Sequence, residues 1–121
     1  MAFSGSCHCG AVRYTVDEDA PTRAMACNCS ICRRRGALHH FTTPAKVTLE
    51  TSRDALSTYQ WNKRVIRFHF CAACGCAPFA EGDGPNGPMV EINLSCADDV
   101  DLESLEIAPF DGAHKLPGPP A

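Results

Sequence analysis

The chain has 121 residues, the length of one modest domain with a small core. Its formal charge of −3 argues against a nucleic-acid partner, and no apolar run approaches the roughly 20 residues that span a bilayer. The N-terminus shows no basic segment followed by an apolar stretch, so no signal peptide is read and a cytoplasmic setting is expected.

Ala11–Val16 alternates apolar and polar residues and predicts a strand, followed by a turn over Asp17–Pro21. Arg23–Ala26 reads as a short strand, and Ser30 can cap a helical turn through Arg35 that Gly36 stops. Ala37–Thr43 is strand-like and ends at Pro44, and Lys46–Glu50 alternates again. Leu56–Trp61 and Val65–Phe70 are β-rich runs, with Asn62-Lys63-Arg64 as a hairpin between them. Pro78–Glu81 is a short strand, Gly82–Pro88 is a loop by composition, and Met89–Leu94 is a strand. Asp98–Leu105 holds one helical turn, and residues 113–121 form an extended tail. The expected fold is mainly β: a single domain over residues 1–121, with its core at about 3–112 and metal sites stapling short antiparallel strands.

Nine cysteines are far above background. The count is odd and the spacings are Cys-x-Cys and Cys-x-x-Cys, which favour a shared metal over a disulfide framework. Cys7 and Cys9 form one pair and Cys71 and Cys74 another, each followed by glycine. Glycine permits the tight knuckle in which backbone N–H groups point at sulfur. Two such pairs can supply one tetrahedral four-thiolate zinc that pins the N-terminal strand to a distant hairpin. The alternative is that these cysteines are small buried hydrophobes.

Cys27, Cys29 and Cys32 lie within six residues and run directly into Arg33, Arg34 and Arg35. Three thiolates leave the fourth position of a tetrahedral ion open, as catalytic zinc sites do. A thiol arriving there would lose its proton and stay nucleophilic, and an arginine could clamp a carboxylate. The alternative is a closed site whose fourth ligand is His8, His39, His40, His69, Cys76 or Cys96. With two zinc ions and seven thiolates the formal charge would move from −3 to −6, so the arginines are a local exception.

Gly5-Ser-Cys-His-Cys-Gly10, Cys27-Asn-Cys-Ser-Ile-Cys-Arg-Arg34 and Phe70-Cys-Ala-Ala-Cys-Gly75 occur in that order. Together they resemble the glutathione-dependent formaldehyde-activating enzyme family, also called the centromere protein V/Gfa family. The resemblance implies a β-tent like that of the Rab-exchange-factor zinc proteins. It implies a structural zinc on Cys7, Cys9, Cys71 and Cys74 and a second zinc on Cys27, Cys29 and Cys32. It also implies a carbon–sulfur lyase of the S-hydroxymethylglutathione synthase type, joining glutathione and formaldehyde, with Arg33 or Arg34 holding the acidic end of the substrate. Cys76 departs from the Thr or Ser expected there and reads as a buried small residue.

The first functional reading is therefore a zinc-dependent enzyme acting on a small-molecule thiol such as glutathione and a small aldehyde, or their adduct. The second is a zinc-stabilised binding module without chemistry, and a third is an iron–sulfur or redox-sensing protein. His39 and His40 are adjacent on a strand and must face opposite ways, so at most one reaches the site. Tyr59 and Trp61 are expected in the core, Arg35 is expected to matter little, and Asp111–His114 either closes over the site or ends the domain.

Overall fold

The computed structural model describes residues 1–60 and 65–115, the side chain of Lys115 excepted. Ten strands form: β1 (Phe3–Ser6), β2 (Arg13–Val16), β3 (Arg23–Cys27), β4 (His39–Thr42), β5 (Val47–Leu49), β6 (Leu56–Tyr59), β7 (Ile66–Cys71), β8 (Phe79–Gly84), β9 (Gly87–Asn93) and β10 (Glu106–Phe110). Two short helices, α1 (Ser30–Arg35) and α2 (Gly112–Lys115), and four single 3-10 turns complete the described chain. The fold is mainly β, as the alternating segments predict.

The strands make a three-stranded sheet in the order β1-β2-β5 and a seven-stranded sheet in the order β10-β3-β4-β9-β8-β7-β6. All pairs are antiparallel except β10 with β3, which run parallel, so the larger sheet is mixed. The core lies between the sheets. Phe3, Tyr14 and Val16 of the small sheet meet Phe79, Val90 and Ile92 of the large one. These are period-2 positions, so each strand gives one face to this core.

The other face of the large sheet follows from its register. Met25 pairs with His39, Phe41 with Glu91, Glu91 with Ala80, and Ala80 with Phe68. Directly opposed residues share a face, so these side chains form a second surface turned away from the core.

Several expectations are corrected. The Gly82–Pro88 loop is instead a tight hairpin: β8 runs to Gly84, the chain turns at Pro85 and Asn86, and Gly87 opens β9 at φ 115°. A Cβ on Gly82 would lie 2.9 Å from the Val65 carbonyl oxygen, and one on Gly84 2.3 Å from the Met89 sulfur. Helix α1 starts at Ser30 but its N-cap is Cys29, and Gly36 ends it in the left-handed region at φ 66°, donating to the Cys32 carbonyl. β1, β10 and α2 carry no clear periodic signal and were not expected. Tyr59 is 53% exposed and so is not a core residue. The Asn62-Lys63-Arg64 hairpin, Trp61 and the tail beyond Lys115 lie outside the described residues.

Gly5 sits where β1 meets the Tyr14 ring, and an added Cβ would lie 2.3 Å from the Tyr14 oxygen and 2.4 Å from the Cys96 carbonyl oxygen. One contact is backbone, so the clash cannot be relieved by a rotamer. Gly5→Ala should cost about 1–3 kcal/mol by overpacking. A denaturant midpoint equal to that of the unaltered protein would refute this packing.

Candidate functional site

Two groups of thiols assemble, and in each the sulfurs lie within 4.8 Å of one another. The first joins Cys7 and Cys9, in the turn after β1, to Cys71 and Cys74, at the end of β7. Cys7 and Cys9 sulfurs are 3.7 Å apart, and Cys9 and Cys71 sulfurs 3.6 Å. A tetrahedral zinc with bonds of about 2.3 Å has sulfur–sulfur edges of about 3.8 Å, so the donor set fits that ion. Both knuckles have the predicted form. Gly10 and Gly75 take positive φ, and the Val12, Ala73 and Cys74 N–H groups point at the Cys7 and Cys71 sulfurs at 3.3–3.4 Å.

Those backbone donors act on the protons. The N–H groups of Cys76 and Cys9 bring the Cys74 thiol down to about 5, and the Cys74 N–H lowers Cys71. The Ala11 N–H pulls Cys9 down, but its hydrogen bonds with Cys71 and Cys7 outweigh that and hold it at about 11. None of the nine cysteines is disulfide-bonded.

The second group is Cys27 at the end of β3, Cys29 at the N-cap of α1 and Cys32 inside α1. Cys29 and Cys32 are buried and Cys27 is half-buried. Burial raises the Cys32 and Cys27 thiols, with the neighbouring Cys29 adding to the rise at Cys32. Metal binding through these thiols would release protons. Among the described residues no fourth His, Cys, Asp or Glu ligand atom joins the three. None of the six residues considered as a closing ligand does so.

The three thiols open onto a cavity of about 610 Å³ on the outward face of the large sheet. Its walls include Met25, Phe41, Ile66, Phe68, Met89 and Phe110. The acidic and imidazole groups on it are His39, Glu91 and Asp83. The His39 side chain is almost wholly buried, and its Nδ1 lies 2.5 Å from Glu91 Oε1. That contact is an ion-pair approach without hydrogen-bond alignment, and His39 Nε2 has no partner. His40 points the other way, towards Glu18 at 2.8 Å and the edge of Phe3. The opposed-face argument for this pair therefore holds. Glu91 was missed, because a lone carboxylate inside an apolar strand has no motif to flag it.

The arginines do not behave as one group. Arg33 and Arg34 are exposed, and neither is among the described residues that line the cavity. Arg34 Nη1 donates to the Ser30 carbonyl at 2.9 Å. Arg35, expected to matter least, is half-buried, with its guanidinium 5.0 Å above the Phe68 ring and both terminal nitrogens buried without a hydrogen bond. Cys76 is half-buried, and its carbonyl accepts from the Cys71 N–H. Asp111–His114 is not among the described residues that line the cavity. Asn28 donates to Asp111 Oδ1 at 3.0 Å and accepts from the Ala113 N–H at 2.9 Å, tying α2 to the three-thiol loop.

A mainly β chain whose two thiol clusters can each hold a metal ion, one of them open to a cavity, defines a class of protein. Residues 2–110 match the profile of the glutathione-dependent formaldehyde-activating enzyme family, and the chain belongs to that family. It is 33% identical over 110 residues to a Halomonas elongata protein named as a candidate glutathione-dependent formaldehyde-activating enzyme. The match covers 84% of this chain and 69% of that one. The fold is similar to the crystal structure of a Rhodobacter sphaeroides protein, with a TM-score of 0.73 and 25% identity, covering 87% of this chain and 99% of that one.

The two clusters should differ under mutation. Cys71 is 1% exposed and belongs to the core, so Cys71→Ala should insolubilise or unfold the protein. Cys32→Ala should leave it folded but empty its cluster of metal. Thermal melts that collapse equally for both variants would contradict this division.

Proposed function

We propose that the chain is a zinc-dependent carbon–sulfur lyase that joins a thiol to a small aldehyde, or splits their adduct. The observation that carries this reading is the three-thiol cluster: it lacks a fourth described ligand and opens onto a cavity. The family's name supports a thiol partner and an aldehyde. In this reading Cys7, Cys9, Cys71 and Cys74 hold a structural zinc, and Cys27, Cys29 and Cys32 hold a second one. The whole of residues 1–121 acts as one zinc domain in a reducing, cytoplasmic setting, where its thiols stay free.

Zinc at the second site would supply an open coordination position and Lewis acidity. The protein's own residues supply the rest. In the reaction the thiol sulfur bonds to the aldehyde carbon, the C=O π bond opens, and the thiol proton ends on the new hydroxyl. To His39, which lines the cavity and whose buried Nε2 lacks a hydrogen-bond partner, this reading gives the role of taking that proton and returning it to oxygen. Glu91 Oε1 lies 2.5 Å from the other ring nitrogen. The apolar walls keep bulk water from the adduct. Arg33 and Arg34 remain candidates for an acidic group that projects beyond the cavity.

The protein purified without chelator should contain two zinc ions per chain. In cobalt-substituted protein a small thiol such as 2-mercaptoethanol should change the thiolate charge-transfer bands. One ion per chain, or bands indifferent to millimolar thiol, would favour the binding module.

His39→Gln should lower turnover of adduct formation by about 10²–10⁴, the usual scale for a general acid–base group, with metal content unchanged. NMR of the thiol–aldehyde equilibration would measure it. Turnover within about twofold of the unaltered protein would remove His39 from the mechanism.

A further inference from the structure

Resting on the thiol-binding reading above, we propose that the thiol this site takes is an uncharged one with an apolar aliphatic or aromatic tail, in preference to glutathione. The cavity decides this. Its volume of about 610 Å³ suits a small organic molecule. Its described walls are apolar apart from the three thiols, His39, Glu91 and Asp83. The acidic side chains among these are Glu91 and Asp83, and Glu91 is already engaged by His39.

Glutathione brings two carboxylates and an ammonium group. Burying a carboxylate without a partner is costly, and a neighbouring carboxylate adds repulsion. Among the described residues no guanidinium or ammonium lines the cavity to meet them. Arg33 and Arg34 stand on the exposed side of α1, and Arg35 has its charged face on Phe68. The cavity rim points the same way. Phe41, Val65 and Ile66 are large, apolar and 38–44% exposed, and all three line the same cavity. Partly exposed apolar side chains lining one cavity are surface that an apolar tail would cover.

The test compares phenylmethanethiol with glutathione, both primary alkyl thiols. Each is titrated into the protein as purified, followed by calorimetry, and into cobalt-substituted protein, followed by the thiolate bands. Phenylmethanethiol should reach half-saturation at a concentration lower by about tenfold or more, given the cost of burying unpaired carboxylates. Phe41→Ala should weaken phenylmethanethiol by about fivefold, through lost apolar contact, and leave glutathione within about twofold. Phe41 is 41% exposed, so this variant should fold, and the comparison in the unaltered protein stands without it. A preference smaller than this, or one for glutathione, overturns the inference and leaves the lyase reading intact. Silence towards both thiols in heat and in spectrum overturns the lyase reading, and this inference with it.

Discussion

Four sulfurs from two distant places in the chain meet closely enough to hold one metal ion. Cys7 and Cys9 leave the small sheet, while Cys71 and Cys74 end a strand of the large one. Cys7 and Cys71 are also members of the core cluster. An ion held there would clamp the two sheets where their apolar faces meet. A chain of this length has little apolar surface to spare, and a clip across some sixty residues removes much of the freedom of the unfolded chain.

With that face closed, the other face of the seven-stranded sheet is available for chemistry. The central strand β9 shows the division. Val90 and Ile92 are buried in the core, and Glu91 between them is buried towards the cavity. A buried carboxylate needs a partner, and His39 on the neighbouring strand provides it at 2.5 Å. The same alternation places the His40 ring against Phe3 and Glu18, on the core side. One sheet thus carries a core on one surface and the buried His39–Glu91 pair on the other.

The metal clusters were legible because their spacing is local. Cys-x-Cys and Cys-x-x-Cys runs with a following glycine state their geometry within a few residues, and both knuckles form as read. The alternating strands were legible for the same reason. What was hidden depends on distant pairing. The Gly82–Pro88 segment has the composition of a loop, yet its glycines allow β8 and β9 to pair closely. β10 owes its existence to the edge of β3, and no periodicity of its own declares it. The three adjacent arginines look equivalent in sequence, and only the fold turns Arg35 onto Phe68 while leaving Arg33 and Arg34 in solvent. Glu91 became visible as a site residue only once its strand lay beside His39.

The parallel pairing of β10 with β3 sets an order of events during synthesis. All four sulfurs of the first cluster have been made once residue 74 has left the ribosome. The strand that carries Cys27 keeps an open edge until residues 106–110 arrive to lie along it. Asn28 then secures that late segment through Asp111 and Ala113. A metal ion bound by those four sulfurs could therefore be held on a nascent chain, while the cavity beside the three-thiol cluster acquires its Phe110 wall only when β10 is made.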